Sequence, residues 1–170
     1  MNKNIVLVGL SGSGKTTIGN ILSDLSGYDF IDTDAIIVKL QNRSINNIFA
    51  TNGEGFFRDL ETQVTKKVSQ FGSQIISTGG GIILRDENLK NLDKNGIIFY
   101  LKTSVNTLLK RLEGDNTRPL LKTVDVKKKL ENMLEIREKL YEKADVTVET
   151  DNLSPIETAK EILRIYNERS

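Results

Sequence analysis

Apolar residues along the chain follow two spacings. Four short runs of mostly apolar residues and one alternating segment are bounded by glycine or polar residues, as is typical of strands in a buried parallel sheet. The longer segments between them carry an apolar residue at every third or fourth position, which is the spacing of one helix face. The predicted strands are 5–8, 28–31, 74–78, 97–101 and 145–149.

Helices are predicted in the intervals between these strands. They cover 17–25, 35–40, a short stretch after Ser44, a longer stretch from the glycines at 53–55 to about 71, 86–93, 105–112, 126–143 and 155–166. Alternation of this kind favours an α/β fold in three layers, a five-stranded parallel sheet with helices on both faces. Because 170 residues suit one domain, we predict a single domain over 1–170.

The segment Gly9–Thr16, GLSGSGKT, matches the phosphate-binding P-loop pattern G-x-x-x-x-G-K-[ST]. It lies between the first predicted strand and the first predicted helix, which is the context that the motif requires. Glycines let the backbone turn so that successive N–H groups face one anion, and the helix adds its positive N-terminal end. Lys15 suits the β- and γ-phosphates of a nucleotide, and the Thr16 hydroxyl suits Mg²⁺. The motif predicts a nucleotide site.

Two further segments follow predicted strands. Asp32-Thr33-Asp34 comes after the second strand and Gly79–Gly81 after the third, at the sheet edge where α/β proteins bind ligands. One of the residues 32–34 could instead cap the next helix, and the glycines could form only a flexible connector. Because capping does not require two aspartates and a connector rarely requires three glycines, a binding role is favoured for both segments.

Three arginines occupy informative positions. Arg58 precedes Glu61 by three residues, a spacing at which an exposed ion pair on a helix is common. Arg118 lies in the polar segment 113–119, whose composition suits a mobile loop, and a phosphoryl-transfer lid needs such an arginine. Arg137 lies in the apolar stripe of its helix, where it must snorkel, pair with a buried acid or face a ligand cavity.

Composition narrows the possible chemistry. The chain has no Cys and no His, which excludes disulfides, thiol catalysis and a histidine base, and leaves mainly Asp, Glu, Lys and Tyr for proton transfer. A net charge of +1 gives no electrostatic case for nucleic acid or an anionic membrane. No apolar run approaches the ~20 residues of a membrane span, and the first strand begins too early for a signal peptide. We therefore expect a cytoplasmic protein with small-molecule substrates, and a monomer by default.

Other classes of P-loop protein fit this sequence less well. A GTPase would need the guanine-reading motif Asn-Lys-x-Asp, which the sequence lacks. An ABC or helicase motor would need a longer chain and further motifs. A compact domain with a second polar pocket fits a small-molecule kinase.

Six segments in order resemble the shikimate kinase family, and the resemblance spans nearly the whole chain. They are the P-loop, Asp32–Asp34, Phe57–Glu61, Ser77–Gly81, Thr117–Leu121 and Arg137–Tyr141. The resemblance implies ATP-dependent phosphorylation of the 3-hydroxyl of shikimate, in the pathway to chorismate and the aromatic amino acids. It also implies one Mg²⁺ per ATP, acceptor-binding helices over about 33–61 and a mobile lid over about 113–123.

The same resemblance implies an ATP site that includes the P-loop and a pair of residues sandwiching the adenine, Arg111 and Pro155. Thr16 would bind Mg²⁺ directly, and Asp32 would bind it through a water molecule. The implied ATP-binding residues are Gly12, Ser13, Gly14, Lys15, Thr16, Thr17, Arg111, Arg118 and Pro155.

For the acceptor, the resemblance implies a catalytic Asp34 that accepts the proton of the attacking hydroxyl. Lys15 and Arg118 would offset charge on the transferring group. Arginine forks suit a carboxylate, which would account for a cation in the apolar stripe. The implied shikimate-binding residues are Asp34, Arg58, Gly79, Gly80, Gly81 and Arg137.

Two main alternatives remain open. A sugar-acid kinase resembling gluconate kinase would share the P-loop, but it would not call for Arg58 and Arg137 together with three glycines. A non-catalytic regulator that binds ATP or shikimate would be expected to have lost Lys15, Asp34 or Arg118. A nucleotide switch is a weaker option and predicts a preference for GTP.

Overall fold

The computed structural model describes residues 2–113 and 123–170. Within these ranges the strands are β1 (Asn4–Val8), β2 (Asp29–Asp32), β3 (Gln74–Ser77), β4 (Gly96–Lys102) and β5 (Val146–Glu149). All pairings are parallel, and the order across the sheet is β2-β3-β1-β4-β5. The predicted five-stranded parallel sheet is confirmed, and each strand lies close to its predicted bounds.

Seven α-helices and one 3₁₀ turn accompany the sheet in the same ranges. They are α1 (Lys15–Ser26), α2 (Thr33–Gln41), α3 (Ile45–Val68), the 3₁₀ turn Ile82–Leu84, α4 (Asp86–Asp93), α5 (Val105–Glu113), α6 (Thr123–Tyr141) and α7 (Pro155–Arg169). None of these helices is long and apolar enough to cross a membrane. Of the lid predicted over about 113–123, residues 114–122 lie outside the described part of the chain.

Helices cover both faces of the sheet. Ile5 and Leu7 of β1 pack with residues of α1 and α7 on one face. Val6 and Val8 pack with residues of α3, α4, α5 and α6 on the other. Successive strand residues point to opposite faces, so a central strand covered on both sides needs an apolar residue at every position. The predicted three-layer α/β/α architecture is confirmed.

Local chemistry sets several helix boundaries. α1 is followed by Gly27 in the left-handed conformation, with φ of 73°. Ser154 and Glu157 form a capping box at the start of α7, with Pro155 at the first helical position. Gly53, with φ of 81°, produces a kink within α3. The backbone is not helical at this residue, so the range given as α3 consists of two helical segments that meet at Gly53, as predicted.

The parallel registers bring three segments to one edge of the sheet. Leu7 of β1 is paired with Ser77 of β3, which is paired with Asp32 of β2. Each strand ends within a residue or two of these positions. The P-loop, the segment 32–34 and the glycines 79–81 consequently lie together at the carboxyl edge, the edge where α/β proteins bind ligands.

Candidate active site

The P-loop connects β1 to α1 through backbone conformations that favour glycine. Gly12 and Gly14 have φ of 87° and 92°, in the left-handed region that other residues rarely adopt. Gly9 leaves no room for a side chain, because a Cβ there would lie 2.9 Å from the Leu101 carbonyl oxygen. The loop leads into α1, whose N-terminal end has no side-chain cap among the described residues. A helix end of this kind suits an anion.

The Lys15 ammonium is buried within the loop. Its Nζ donates hydrogen bonds to the carbonyl oxygens of Gly9 (2.7 Å) and Leu10 (2.9 Å). Burial lowers the pKa of Lys15 to about 8, and the charges of Asp34 and Asp32 act in the opposite direction. One cation and two carboxylates therefore share the same electrostatic environment.

The two aspartates of the segment 32–34 differ in what they contact. Asp32 caps α2, and its Oδ1 accepts a hydrogen bond of 3.0 Å from the Ala35 N–H. Asp34 lies in the first turn, and its Oδ1 is buried without a hydrogen-bond partner among the described residues. Burial, and then the charge of Asp32, raise the pKa of Asp34, whereas Lys15 and Arg58 lower it. Capping of α2 therefore accounts for Asp32 but not for Asp34. This agrees with the argument that a helix cap does not require two aspartates.

The three glycines after β3 each face a different part of this edge. A Cβ on Gly79 would lie 2.6 Å from Asp34 Oδ1, and a Cβ on Gly81 would lie 2.5 Å from Arg58 Cζ. A Cβ on Gly80 would lie 3.4 Å from the P-loop nitrogen of Ser11. The glycines therefore let Asp34, Arg58 and the P-loop approach one another through the same short loop.

Arg58 and Glu61 form a largely buried ion pair on α3. Arg58 Nη1 lies 2.5 Å from Glu61 Oε2, and the side chains are 12 % and 0 % exposed. Burial raises the pKa of Glu61, while the hydrogen bond and charge of Arg58 lower it. The spacing of three residues indicated an ion pair, which the structure contains. The pair is buried instead of exposed, because α3 turns this face towards the core. Glu61 is the site residue whose burial the sequence analysis missed.

α6 supplies Arg137 and, one turn later, Tyr141. The Arg137 side chain is half-buried. Burial raises the pKa of both the Tyr141 phenol and the Glu61 carboxyl, and the charge of Arg137 partly opposes the rise in each. The Tyr141 hydroxyl donates a hydrogen bond of 2.6 Å to the Gly80 carbonyl oxygen. Arg137 therefore lies near the same buried acid as Arg58. The sequence identifies Tyr141 only as the last residue of the segment Arg137–Tyr141 and predicts no contact for its phenol.

The residues predicted around the nucleotide base lie on α5 and α7. Arg111 Nη1 donates a hydrogen bond of 3.2 Å to the Gly12 carbonyl oxygen, which brings the end of α5 to the P-loop. Pro155 begins α7, after the loop that follows β5. Thr16 and Thr17 occupy the exposed first turn of α1. Arg118 lies outside the described residues.

A P-loop lysine, a buried carboxylate and two arginines at one sheet edge define a P-loop kinase of the small-molecule type. A family model described as shikimate kinase matches residues 11–167. A shikimate kinase of Thermodesulfovibrio yellowstonii is 42 % identical over 168 residues, which cover 99 % of this chain and 97 % of that one. The chain belongs to the shikimate kinase family.

Solved structures agree with this assignment. The shikimate kinase of Acinetobacter baumannii in complex with shikimate has a TM-score of 0.90 and 36 % identity, covering 100 % of this chain and 96 % of that one. A gluconokinase of Sinorhizobium meliloti has a TM-score of 0.61 at 18 % identity, covering 98 % of this chain and 95 % of that one. The second likeness is one of fold alone, so the alternative of a sugar-acid kinase is not favoured.

Proposed function

We propose that this protein transfers the γ-phosphoryl group of ATP to the 3-hydroxyl of shikimate, giving shikimate 3-phosphate and ADP, in the pathway to chorismate and the aromatic amino acids. The observation that carries the proposal is the approach of Asp34 and Arg58 to the glycines 79–81, beside the P-loop lysine. An acceptor such as shikimate has a carboxylate, which needs a cation to bind it, and ring hydroxyls, one of which needs a base to accept its proton. Family membership and the likeness to a shikimate complex support the same acceptor.

The P-loop would bind the phosphates of ATP. The left-handed glycines Gly12 and Gly14, with Ser13 between them, lead the backbone N–H groups into the first turn of α1, where Thr16 and Thr17 follow. Lys15, whose Nζ is held by two loop carbonyls, would place its charge against the β- and γ-phosphates.

The residues present fit one Mg²⁺ ion per ATP. Thr16 offers a hydroxyl, and Asp32 has one carboxylate oxygen beyond the one that caps α2. A set of two protein oxygens suits Mg²⁺, which keeps several waters and takes its other ligands from phosphates. The described residues hold no cluster of three acidic side chains that would suggest an all-protein cage. Bound there, the ion would neutralise charge on the β- and γ-oxygens.

Asp34 would orient the 3-hydroxyl and accept its proton. As the O–H bond breaks, the oxygen forms a bond to the γ-phosphorus, and the bond from that phosphorus to the oxygen of ADP breaks. Burial raises the pKa of Asp34, which strengthens it as a base, while Lys15 and Arg58 favour its ionised form. Lys15 and Arg118, the latter outside the described residues, would offset charge on the transferring group.

The shikimate carboxylate would bind to Arg58 and Arg137. Arg58 is held by Glu61 and Glu54 on its own helix, so its guanidinium is positioned before an acceptor arrives. Arg137 approaches from α6. Two guanidinium groups from different helices suit a planar carboxylate better than ammonium groups do.

The adenine would bind between Arg111 and Pro155. Arg111 donates a hydrogen bond of 3.2 Å to the Gly12 carbonyl oxygen of the P-loop. Pro155 is the first residue of α7, directly after the loop that follows β5. A guanidinium plane and a proline ring are both suited to covering an aromatic base.

The monomeric state and the cytoplasmic location of this protein stay predictions.

The first test is ADP release with Mg·ATP in a coupled assay, comparing shikimate, gluconate, AMP and no acceptor. The proposal expects turnover with shikimate and only background rates otherwise. Turnover with gluconate or AMP alone would keep the P-loop assignment and void the acceptor roles of Arg58 and Arg137. Tight ATP binding without turnover of any acceptor would favour the alternative of a non-catalytic regulator that binds ATP or shikimate.

A further inference from the structure

The three-glycine loop has no side chains with which to hold itself in place. Its backbone has more conformational freedom than any other tripeptide, so its orientation depends on hydrogen bonds. The Gly79 carbonyl oxygen accepts from the Ile82 N–H, and that of Gly81 accepts from the Leu84 N–H, both at 3.1 Å. These two bonds are local to the 3₁₀ turn that follows the loop.

The carbonyl of the middle glycine is bonded from a distant element. The Gly80 oxygen accepts a hydrogen bond of 2.6 Å from the hydroxyl of Tyr141, 61 residues later at the end of α6. No other bond to this carbonyl is found among the described residues. Within 2–113 and 123–170, the peptide between Gly80 and Gly81 is therefore oriented by one side chain, that of Tyr141.

The Tyr141 ring is firmly placed for this task. It is completely buried and stacks on Tyr100 of β4, with ring centroids 4.9 Å apart and an angle of 12° between the planes. Burial raises the pKa of Tyr141 to about 12, so the phenol keeps its proton and remains a donor at neutral pH. Its position is set by the sheet on one side and by α6 on the other.

We infer that Tyr141 is a positioning residue for the acceptor site, holding the three-glycine loop in place through the Gly80 carbonyl. The inference rests on the proposed function, because it assigns the loop to the acceptor. Arg137 lies one turn before Tyr141 on the same helix, so α6 would set the second arginine and the glycine loop together. A displaced loop would weaken acceptor binding and leave the P-loop unchanged.

The test compares Tyr141→Phe with Tyr100→Phe. Both changes remove a phenol oxygen and keep the stacked pair of buried rings, but only Tyr141 donates to the loop among the described residues. Tyr141→Phe is expected to raise KM for shikimate about 3- to 10-fold, the range for one neutral hydrogen bond, with KM for ATP unchanged. Tyr100→Phe is expected to change neither constant. An unchanged KM for shikimate in Tyr141→Phe, or equal rises in both constants, would overturn the inference.

A second measurement does not depend on the acceptor. Amide hydrogen exchange of the peptide covering residues 79–82, without any ligand, is expected to be faster in Tyr141→Phe than in the wild type or in Tyr100→Phe. Equal exchange in all three proteins would overturn the positioning role whatever the substrate. If wild-type protein fails to phosphorylate shikimate yet this difference is found, the proposed function is wrong and the role of Tyr141 in holding the loop stands.

Discussion

Arg58 and Glu61 form an ion pair whose nearest atoms are 2.5 Å apart and whose acid is completely shielded from solvent. Arg58 also contacts Glu54 at 3.1 Å, but the Glu54 side chain is 60 % exposed. A buried carboxylate costs free energy unless a cation compensates its charge, and Arg137 adds to that compensation. The pair therefore holds the guanidinium of Arg58 beside Gly81. In turn, the charge of Arg58 offsets the free-energy cost of burying the Glu61 carboxylate.

Replacing Glu61 with Gln should reduce both stability and acceptor binding. The variant leaves a largely buried guanidinium without its main partner, which should lower the free energy of unfolding by about 3 kcal/mol. KM for shikimate should rise because Arg58 is no longer held. Glu54→Gln is the matched control, since it removes the exposed partner of the same arginine and should cost at most about 1 kcal/mol. Equal losses in urea denaturation of the two variants would contradict the assignment of the buried pair.

The second prediction concerns Asp34. In Asp34→Asn the side chain keeps its shape beside Gly79 but cannot accept a proton as a carboxylate does. We expect kcat to fall by roughly 10²-fold or more, the usual contribution of a general base, while ATP binding by titration calorimetry stays nearly intact. Turnover close to that of the wild type would remove Asp34 from the proposed mechanism.

The sequence predicted those parts of the molecule that depend on local patterns. The continuous apolar run of β1 predicted a strand covered on both faces. The P-loop glycines predicted a tight turn of the backbone, and Gly12 and Gly14 make it with φ of 87° and 92°. Ser154 and Glu157 have the residue types and spacing of a capping box, which the structure contains. Each of these features depends on residues that are close together in the chain, so it can be predicted from a single sequence.

The features that the sequence did not predict depend on contacts between distant elements. Spacing of three residues predicts that Arg58 and Glu61 meet, but their burial depends on which helix covers them. The contact from Tyr141 to Gly80 joins α6 to a loop 61 residues earlier. The longer helix was expected to reach about Phe71 but ends at Val68. The Phe71 carbonyl instead accepts hydrogen bonds from the side chains of Asn4 and Asn95.

The third prediction separates packing from function in the glycine loop. Alanine at position 79 or 81 would overlap Asp34 Oδ1 or the Arg58 guanidinium, and both are ends of side chains that can move aside. We expect a large loss of activity in each variant, in kcat for Gly79→Ala and in KM for shikimate for Gly81→Ala. The loss of stability should be small for Gly79→Ala and larger for Gly81→Ala, because a displaced Arg58 guanidinium weakens its buried pair with Glu61. Steady-state kinetics and thermal denaturation of each variant provide the two measurements.

Gly55→Ala is the control for these two variants. It lies in α3 with nothing within 4 Å of the added Cβ, and alanine there should stabilise the helix by about 0.5–1 kcal/mol without changing the kinetics. If Gly79→Ala and Gly81→Ala behave like this control, the loop does not constrain Asp34 and Arg58.

The fourth prediction is a pH dependence that differs between free and ATP-bound enzyme. Burial lowers the pKa of Lys15 to about 8, so the free enzyme should lose the ammonium charge as the pH rises through that value. Because kcat/KM reports the free enzyme, kcat/KM for ATP should fall above a pH of about 8. Bound phosphates favour the ammonium form, so kcat should stay constant up to a higher pH than kcat/KM does.

The control for this prediction is Lys15→Arg. Its guanidinium does not titrate in this range, so the alkaline fall in kcat/KM should disappear in that variant even if its overall rate is lower. Wild-type and variant profiles with the same alkaline limb would assign that limb to a group other than Lys15.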